Sequence, residues 1–172
     1  MRLREFLAGL GRVLLPPRCL LCQSPGVDGL DLCAACRDGL PWSPPACPRC
    51  ALPWPGGNGA PCPACRRAPP PQASARAAFI YMSPVDQLLP RLKFHEDLAA
   101  GRLLASLLPP VFAVAPRPMA LLPLPLHRSR LRQRGYDQAL EMARPLARAL
   151  GLPLCTGGLR RRRATAAQSG LG

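Results

Sequence analysis

Apolar side chains open the chain at helical spacing: Leu3, Phe6, Leu7, Leu10, Val13 and Leu14, stopped by Pro16 and Pro17. Residues 1–17 therefore read as a short amphipathic helix, expected to dock on its own domain. Glu5 and Arg12 interrupt what a secretory leader would keep apolar, and no small-residue cleavage site follows. No apolar run reaches the roughly 18 residues of a membrane span. Periodicity then lapses over residues 18–66 and returns after a Pro-rich stretch at 67–75. Residues 77–82 (AAFIYM) read as a strand, and 84–108 as helical, interrupted at Pro90 and ended by Pro109 and Pro110. Residues 119–124 (MALLPL) are apolar enough for a buried parallel strand. Residues 135–150 read as a helix with Ala139, Met142, Ala143, Leu146, Ala147 and Leu150 inward, and 152–155 as a short strand. Alternating strand and helix over 76–172 points to an α/β fold.

The aperiodic region has its own order. Eight of the nine cysteines form four CxxC turns: Cys19/Cys22, Cys33/Cys36, Cys47/Cys50 and Cys62/Cys65. In a chain without an export signal this pattern favours metal over disulfides, and a cytoplasmic location is expected. Two CxxC turns complete one tetrahedral thiolate site, so eight thiolates imply two structural zinc ions with no position left for a catalytic water. Four turns can pair in three ways. The spacers at 23–32 and 51–61 carry Pro, Gly, Asp and Asn suited to hairpin turns, whereas the spacer at 37–46 holds Pro41, Pro44 and Pro45 and reads as a stiff linker. Sequential pairing also closes the shortest loops. Two consecutive ribbons are therefore favoured over an interleaved pair. Trp42 and Trp54 are expected to cap this small core, with stacking on a nucleic-acid base as the alternative, and Cys155, standing alone, to be a buried structural thiol.

Charge changes the picture at two places. The chain has 23 basic and 9 acidic residues, a net +14, and every basic residue but Lys93 is Arg. Two four-thiolate zinc sites, at about −2 each, would bring this to about +10. With so much Ala, Pro and Leu, part of the Arg bias reads as a GC-rich coding bias, so total charge is weak evidence for nucleic acid. Placement says more. Arg128, Arg130, Arg132 and Arg134 fall at every second position just after the apolar 119–124 segment and before a helix, with Gly135 allowing a tight turn and Gln138 a polar contact. Ligands in α/β folds bind at the carboxyl ends of strands, and a helix start there presents N–H groups suited to phosphate. Guanidinium groups grip phosphate oxygens in pairs. The alternative is a solvated basic loop. A second run, Arg160–Arg163, precedes Thr165 and Gln168.

These pieces together resemble the ComF family. The carriers are the four CxxC turns, then YMSPVDQLLPRLKFHED, LPLPLHRSRLRQRGYDQALEMA and LRRRRATAAQSGL. PLHRSRLRQRGYDQA is close to the family's PLHxxRxRxRGFNQA, with Tyr136 and Asp137 in place of Phe and Asn. Lys93, Phe94 and Asp97 match its KFxxD-like segment, and Arg161, Arg163, Thr165, Gln168 and Leu171 its RxRxTxxQxxL segment. The resemblance implies an α/β type I phosphoribosyltransferase-like domain over 76–172, behind a double zinc ribbon at 18–66 and a linker at 67–75. It implies phosphoribosyl pyrophosphate as ligand, with magnesium in a full-length relative, and a link to natural transformation and the handling of incoming single-stranded DNA. By analogy His127, Arg130, Arg132, Arg134, Gly135 and Gln138 would lie near the pyrophosphate, while Arg161, Arg163, Thr165 and Gln168 would form a closing loop. The family continues into a strand ending in two acidic residues and a Thr-Thr-Gly-like turn. Here the last acidic residue is Glu141. The expectation is thus a C-terminally truncated chain without the ribose-phosphate half of the site. Phosphoribosyl transfer would then be complete only in a full-length relative. The alternative is a non-catalytic, zinc-ribbon, Arg-rich nucleic-acid-binding module or an inactive fragment.

Overall fold

The computed structural model describes residues 16–55 and 59–165. The amphipathic helix read at 1–17 lies almost wholly outside them, as do Gln168 and Leu171. Seven helices occur among the described residues: α1 (Ala34–Asp38), α2 (Pro63–Arg67), α3 (Val85–Phe94), α4 (Leu98–Leu107), α5 (Pro109–Ala113), α6 (Arg128–Arg134) and α7 (Gln138–Leu150). The chain divides into two compact units. One holds the described residues of Met1–Cys36 and Leu88–Gly172, the other Arg37–Gln87.

In the first unit α4 packs against α7, and α5 against both. Helix α4 supplies the apolar centre, burying Ala100, Gly101, Leu103, Leu104, Ala105 and Leu107. Gly101 is a point of close approach: a Cβ there would sit 2.7 Å from Cδ1 of Leu92, itself fully buried. Both helices with an internal proline, α3 at Pro90 and α7 at Pro145, run through it. The break expected at Pro90 instead falls at residues 95–97, where Glu96 takes a left-handed φ of 54°. Helix α4 ends at Leu107, just before Pro109 and Pro110 as expected, but these prolines then open a further short helix. They occupy the first turn of α5, where a missing N–H costs nothing.

The expected strands shrink to isolated bridges, and no sheet forms among the described residues. Leu121 and Leu154 make one parallel bridge, through Leu121 N–H to the Pro153 carbonyl at 2.8 Å and Cys155 N–H to the Leu121 carbonyl at 2.9 Å. Pro118, Pro123 and Pro125 on one side and Pro153 on the other lack the donors a longer ladder needs. Side chains alternate along 152–155, so Leu152 is buried while Cys155 is exposed, against the expectation of a buried thiol.

In the second unit, residues 77–82 also make one bridge rather than a strand. It joins Phe79 to Trp42 in antiparallel sense, flanked by Ser43 N–H to the Ala78 carbonyl (2.9 Å) and Ile80 N–H to the Pro41 carbonyl (2.8 Å). The Trp42 and Phe79 rings pack with centroids 4.7 Å apart. The 37–46 spacer, read as a stiff linker, is thus half of this pair. Trp54 packs on the cysteines of the second cluster. Residues 72–75 lie along the same cluster: Arg49 donates to the Ala73 carbonyl at 2.8 Å, and Gln72 to the Arg49 carbonyl at 3.1 Å.

Candidate metal centres and a basic corner

The first CxxC of each cluster is one turn written twice. Gln23 N–H bonds the Cys19 carbonyl at 2.9 Å, and Ala51 N–H bonds that of Cys47 at the same distance. Cys19 N–H returns to the Ser24 carbonyl, and Cys47 N–H to that of Leu52. Closing so tight a turn drives the residue after the second cysteine into left-handed backbone, at φ 66° for Gln23 and 61° for Ala51. The second CxxC of each cluster enters a helical turn, α1 after Cys33 and α2 after Cys62. In the first cluster the chain reverses between the two turns through Asp28 (φ 56°) and Gly29 (φ 71°), with Leu30 N–H bonded to the Val27 carbonyl. Two positive-φ residues, the first of them Asp and the second Gly, make the hairpin turn expected of that spacer. Gly26 is required beside it, because a Cβ there would collide with the Leu30 carbonyl oxygen.

The pairing is sequential. The sulfurs of Cys19, Cys22, Cys33 and Cys36 all lie within 4.8 Å of one another, and so do those of Cys47, Cys50, Cys62 and Cys65. A tetrahedron with metal–sulfur bonds of 2.3 Å has sulfur–sulfur edges of about 3.8 Å. Cys22 and Cys33 stand at 3.6 Å, and Cys50 and Cys62 at 3.9 Å. Two four-cysteine clusters of this size fit two structural zinc ions.

Their electrostatics fit the same reading. Cys22 is pulled down to about 6 by the hydroxyl and N–H of Ser24. Burial pushes Cys47 upward, but the N–H groups of Cys62, Arg49 and Cys50 outweigh it and bring the thiol down to about 6. The later cysteines go the other way. Cys33 beside it pushes Cys36 up to about 12, and burial, with Cys50 and Cys62, pushes Cys65 up to about 12. Four thiolates cannot share so small a volume without a cation, so part of each set keeps its protons until a metal replaces them.

The basic segments meet elsewhere in the first unit. Residues 128–134, read as a loop, are helix α6. His127 caps it, with Nδ1 accepting from the Ser129 N–H at 3.3 Å, and Gly135 ends it at φ 78°. The N–H groups at the start of α7, expected to be open to a phosphate, are taken by Asp137. Its Oδ1 accepts from Ala139 at 2.9 Å and Leu140 at 3.2 Å, and its Oδ2 accepts from Leu126 at 2.8 Å. The Ala139 and Leu140 N–H groups are therefore already satisfied within the chain.

Arg134 donates to Oε1 of Gln138 at 2.7 Å and lies 5.6 Å over the ring of Phe94. Arg130 reaches across to the second basic run, donating to the Thr165 carbonyl at 2.6 Å, and Arg161 donates to the Thr165 hydroxyl at 2.9 Å. Arg132 and Arg163 are exposed. Residues 35 positions apart thus converge, and Arg130, Arg161 and Thr165 form one surface.

A residue the sequence did not single out connects this unit internally. Arg91 donates Nε to Oδ2 of Asp97 at 2.8 Å, pairs Nη2 with the same oxygen at 2.7 Å, and gives Nη1 to the Leu20 carbonyl at 2.8 Å. Asp97 caps α4 with its other oxygen, accepting from Ala100 at 3.0 Å. Contacts separated by 71 positions leave no periodic signal in a sequence.

Known proteins place these features in company. A family model for the double zinc ribbon domain matches residues 10–68. The DNA utilization protein YhgH of Salmonella typhi is 30% identical over 161 residues, covering 90% of this chain and 70% of the relative. Its counterpart in Escherichia coli K12 is 29% identical over the same length. Competence protein F of Haemophilus influenzae is 34% identical over 97 residues, 53% of this chain and 42% of the relative. No solved structure matches. No helix among the described residues is long and apolar enough to cross a membrane.

Proposed function

The chain belongs to the ComF family, and from that premise we propose that it works in the uptake and use of DNA, gripping the sugar-phosphate backbone of single-stranded DNA in the cytoplasm. The observation that carries the reading is the convergence of the two basic segments at Thr165, through Arg130 and Arg161. Arg132 and Arg163 extend the surface. The relatives' names, DNA utilization protein and competence protein, support the same role. Planar guanidiniums supply phosphate contacts without reading bases, so the grip is sequence-tolerant. The zinc ribbons act as scaffold in this reading. Their thiolates are all committed to metal, so neither cluster has a position for substrate.

Salt dependence tests it. Four phosphate contacts on a single strand, one each from Arg130, Arg132, Arg161 and Arg163, give a slope of about −2.8 in log affinity against log salt, so affinity falls about fiftyfold between 50 and 200 mM salt. Fluorescence anisotropy of a labelled oligothymidylate with zinc-loaded protein measures this directly. An affinity that stays flat over that range overturns the reading.

One observation favours a second reading, phosphoribosyl pyrophosphate as the ligand of the same corner. Residues 119–124 and 152–155 run parallel at Leu121 and Leu154, with α7 between them in sequence, which is the start of a strand–helix–strand crossover. Helix α6 follows the first of these segments, where α/β folds bind ligands. The finer α/β phosphoribosyltransferase-like fold, and magnesium accompanying the ligand, belong to this reading. Displacement of bound oligothymidylate by phosphoribosyl pyrophosphate with magnesium, but not by the same concentration of pyrophosphate alone, is its expected sign.

A further inference from the structure

We infer that the two zinc sites have different duties, and that the one built by Cys19, Cys22, Cys33 and Cys36 positions the α6–α7 corner through Arg91 acting as a positioning residue. The inference deepens the DNA-gripping reading, since that corner carries the basic surface, and the coupling itself can be tested without DNA.

The argument follows one side chain in two directions. Leu20 lies between the ligands Cys19 and Cys22, and its carbonyl accepts from Arg91. Its N–H is held by the Asp31 carbonyl across the hairpin at 3.0 Å. When zinc fixes the Cys19–Cys22 turn, it fixes the orientation of that carbonyl. Without metal the two thiols no longer share a centre, and the turn loses the constraint that aims the acceptor. A guanidinium is rigid and planar, so holding one edge orients the other. The other edge of Arg91 holds Asp97, the N-cap of α4.

Arg91 also sits on the last turn of α3, and the same turn meets the basic corner twice. The carbonyl of the next residue, Leu92, accepts the hydroxyl of Tyr136. The ring of Phe94 lies under the guanidinium of Arg134. Tyr136 stands between Gly135, which ends α6, and Asp137, which starts α7, so its hydroxyl ties the junction of the two helices to the last turn of α3. The path from metal to basic helix is therefore short and made of named bonds: zinc turn, Leu20 carbonyl, Arg91, last turn of α3, Tyr136, α6–α7. Every member belongs to one compact unit, while the Cys47, Cys50, Cys62 and Cys65 site belongs to the other.

The test uses the full chain, purified with two zinc ions per molecule as shown by metal analysis, and three variants. Arg91→Met keeps the aliphatic stem and removes the donors. Arg91→Lys keeps the charge but cannot bond both acceptors at once. Tyr136→Phe cuts the far end of the path. Zinc release to a chromophoric chelator should become biphasic in Arg91→Met, one ion leaving about tenfold faster than in wild type and the other at the wild-type rate, the size usual for loss of an outer-shell partner. Arg91→Lys should fall between. Amide hydrogen exchange of zinc-loaded Arg91→Met should rise about tenfold over residues 128–140 and stay unchanged in α2. Tyr136→Phe should show the raised exchange with both zinc ions leaving at wild-type rates. Oligothymidylate binding should weaken in Arg91→Met and Tyr136→Phe alike. If both zinc ions leave Arg91→Met at the wild-type rate, or exchange over 128–140 is unmoved, the inference is overturned whether or not the protein binds DNA. If the zinc and exchange effects appear in a chain that never binds oligothymidylate, the coupling stands and the DNA reading fails.

Discussion

Replacing Asp97 by asparagine and by alanine separates two tasks that one carboxylate performs. Oδ1 caps α4 through the Ala100 N–H at 3.0 Å, and Oδ2 takes both Nε and Nη2 of Arg91. Asparagine caps a helix about as well as aspartate, so Asp97→Asn keeps the first task and loses the second. The Arg91 side chain is 37% exposed and that of Asp97 20%, so solvent screens the pair and it is worth about 0.5–1 kcal/mol. Alanine loses the cap as well, adding about 1 kcal/mol. The expected costs are thus about 0.5–1 kcal/mol for Asp97→Asn and about 2 kcal/mol for Asp97→Ala, read from urea unfolding with zinc in excess.

The pH dependence has a definite sign. Burial pushes the Asp97 carboxyl upward, but the Ala100 N–H and Arg91 outweigh it and hold the carboxyl below its ordinary value. A carboxylate depressed in the folded state stabilises above its unfolded pKa, near 3.9, and loses that stabilisation as pH falls through the lower folded value. The wild-type advantage over Asp97→Asn should therefore be level from pH 8 to about 5 and shrink below about 4. Equal costs for the two variants would refute the capping role. Two costs within about 0.3 kcal/mol of zero would refute both contacts.

Four further outcomes follow from the same geometry. Reloading the zinc-free protein at pH 7.5 should release at least one proton per site, because Cys36 and Cys65, pushed up to about 12, enter as thiols and leave as thiolates. Apparent zinc affinity should accordingly rise with pH, and competition with a chelator that shows no change between pH 6 and 8 contradicts this. Asp137→Ala should cost about 2 kcal/mol, since it orphans the Leu126, Ala139 and Leu140 N–H groups, while Asp137→Asn should recover only about half of that in the same urea assay, because its single acceptor oxygen can serve the helix start but its NH2 cannot accept from Leu126. Gly101→Val should cost about 2 kcal/mol by driving methyl groups into the fully buried Leu92 side chain, and a neutral result would mean α3 and α4 are not in contact there. Ala51→Gly should stabilise by about 0.5 kcal/mol, because it relieves a left-handed backbone at the end of the Cys47–Cys50 turn at the expense of a freer unfolded chain.

The metal sites are almost fully legible without the fold. A CxxC turn is local, its chemistry is carried by residue type, and the spacer with Asp28 and Gly29 announces its own reversal. Helices α4 and α7 are legible for a similar reason, since their apolar faces repeat within a few residues. Elsewhere local signals mislead. Arginines at every second position between an apolar segment and a helix suggest a loop, but Arg is a good helix former and His127 and Gly135 cap the segment at both ends, so 128–134 is helical. Apolar runs at 77–82 and 119–124 suggest strands, but a strand needs a partner with free donors, and the prolines withhold them.

The chain's own order of residues thus carries the metal, its count and its ligands, because those depend on chemistry repeated over short spans. Three matters wait for the folded molecule: that Thr165 gathers Arg130 and Arg161, that Asp137 occupies the helix start a phosphate was expected to use, and that Arg91 ties Leu20 to Asp97. Two of these join residues tens of positions apart, and the third turns on which acceptor first reaches a helix end. Such competition is settled by packing, which brings one partner within bonding distance and excludes the rest.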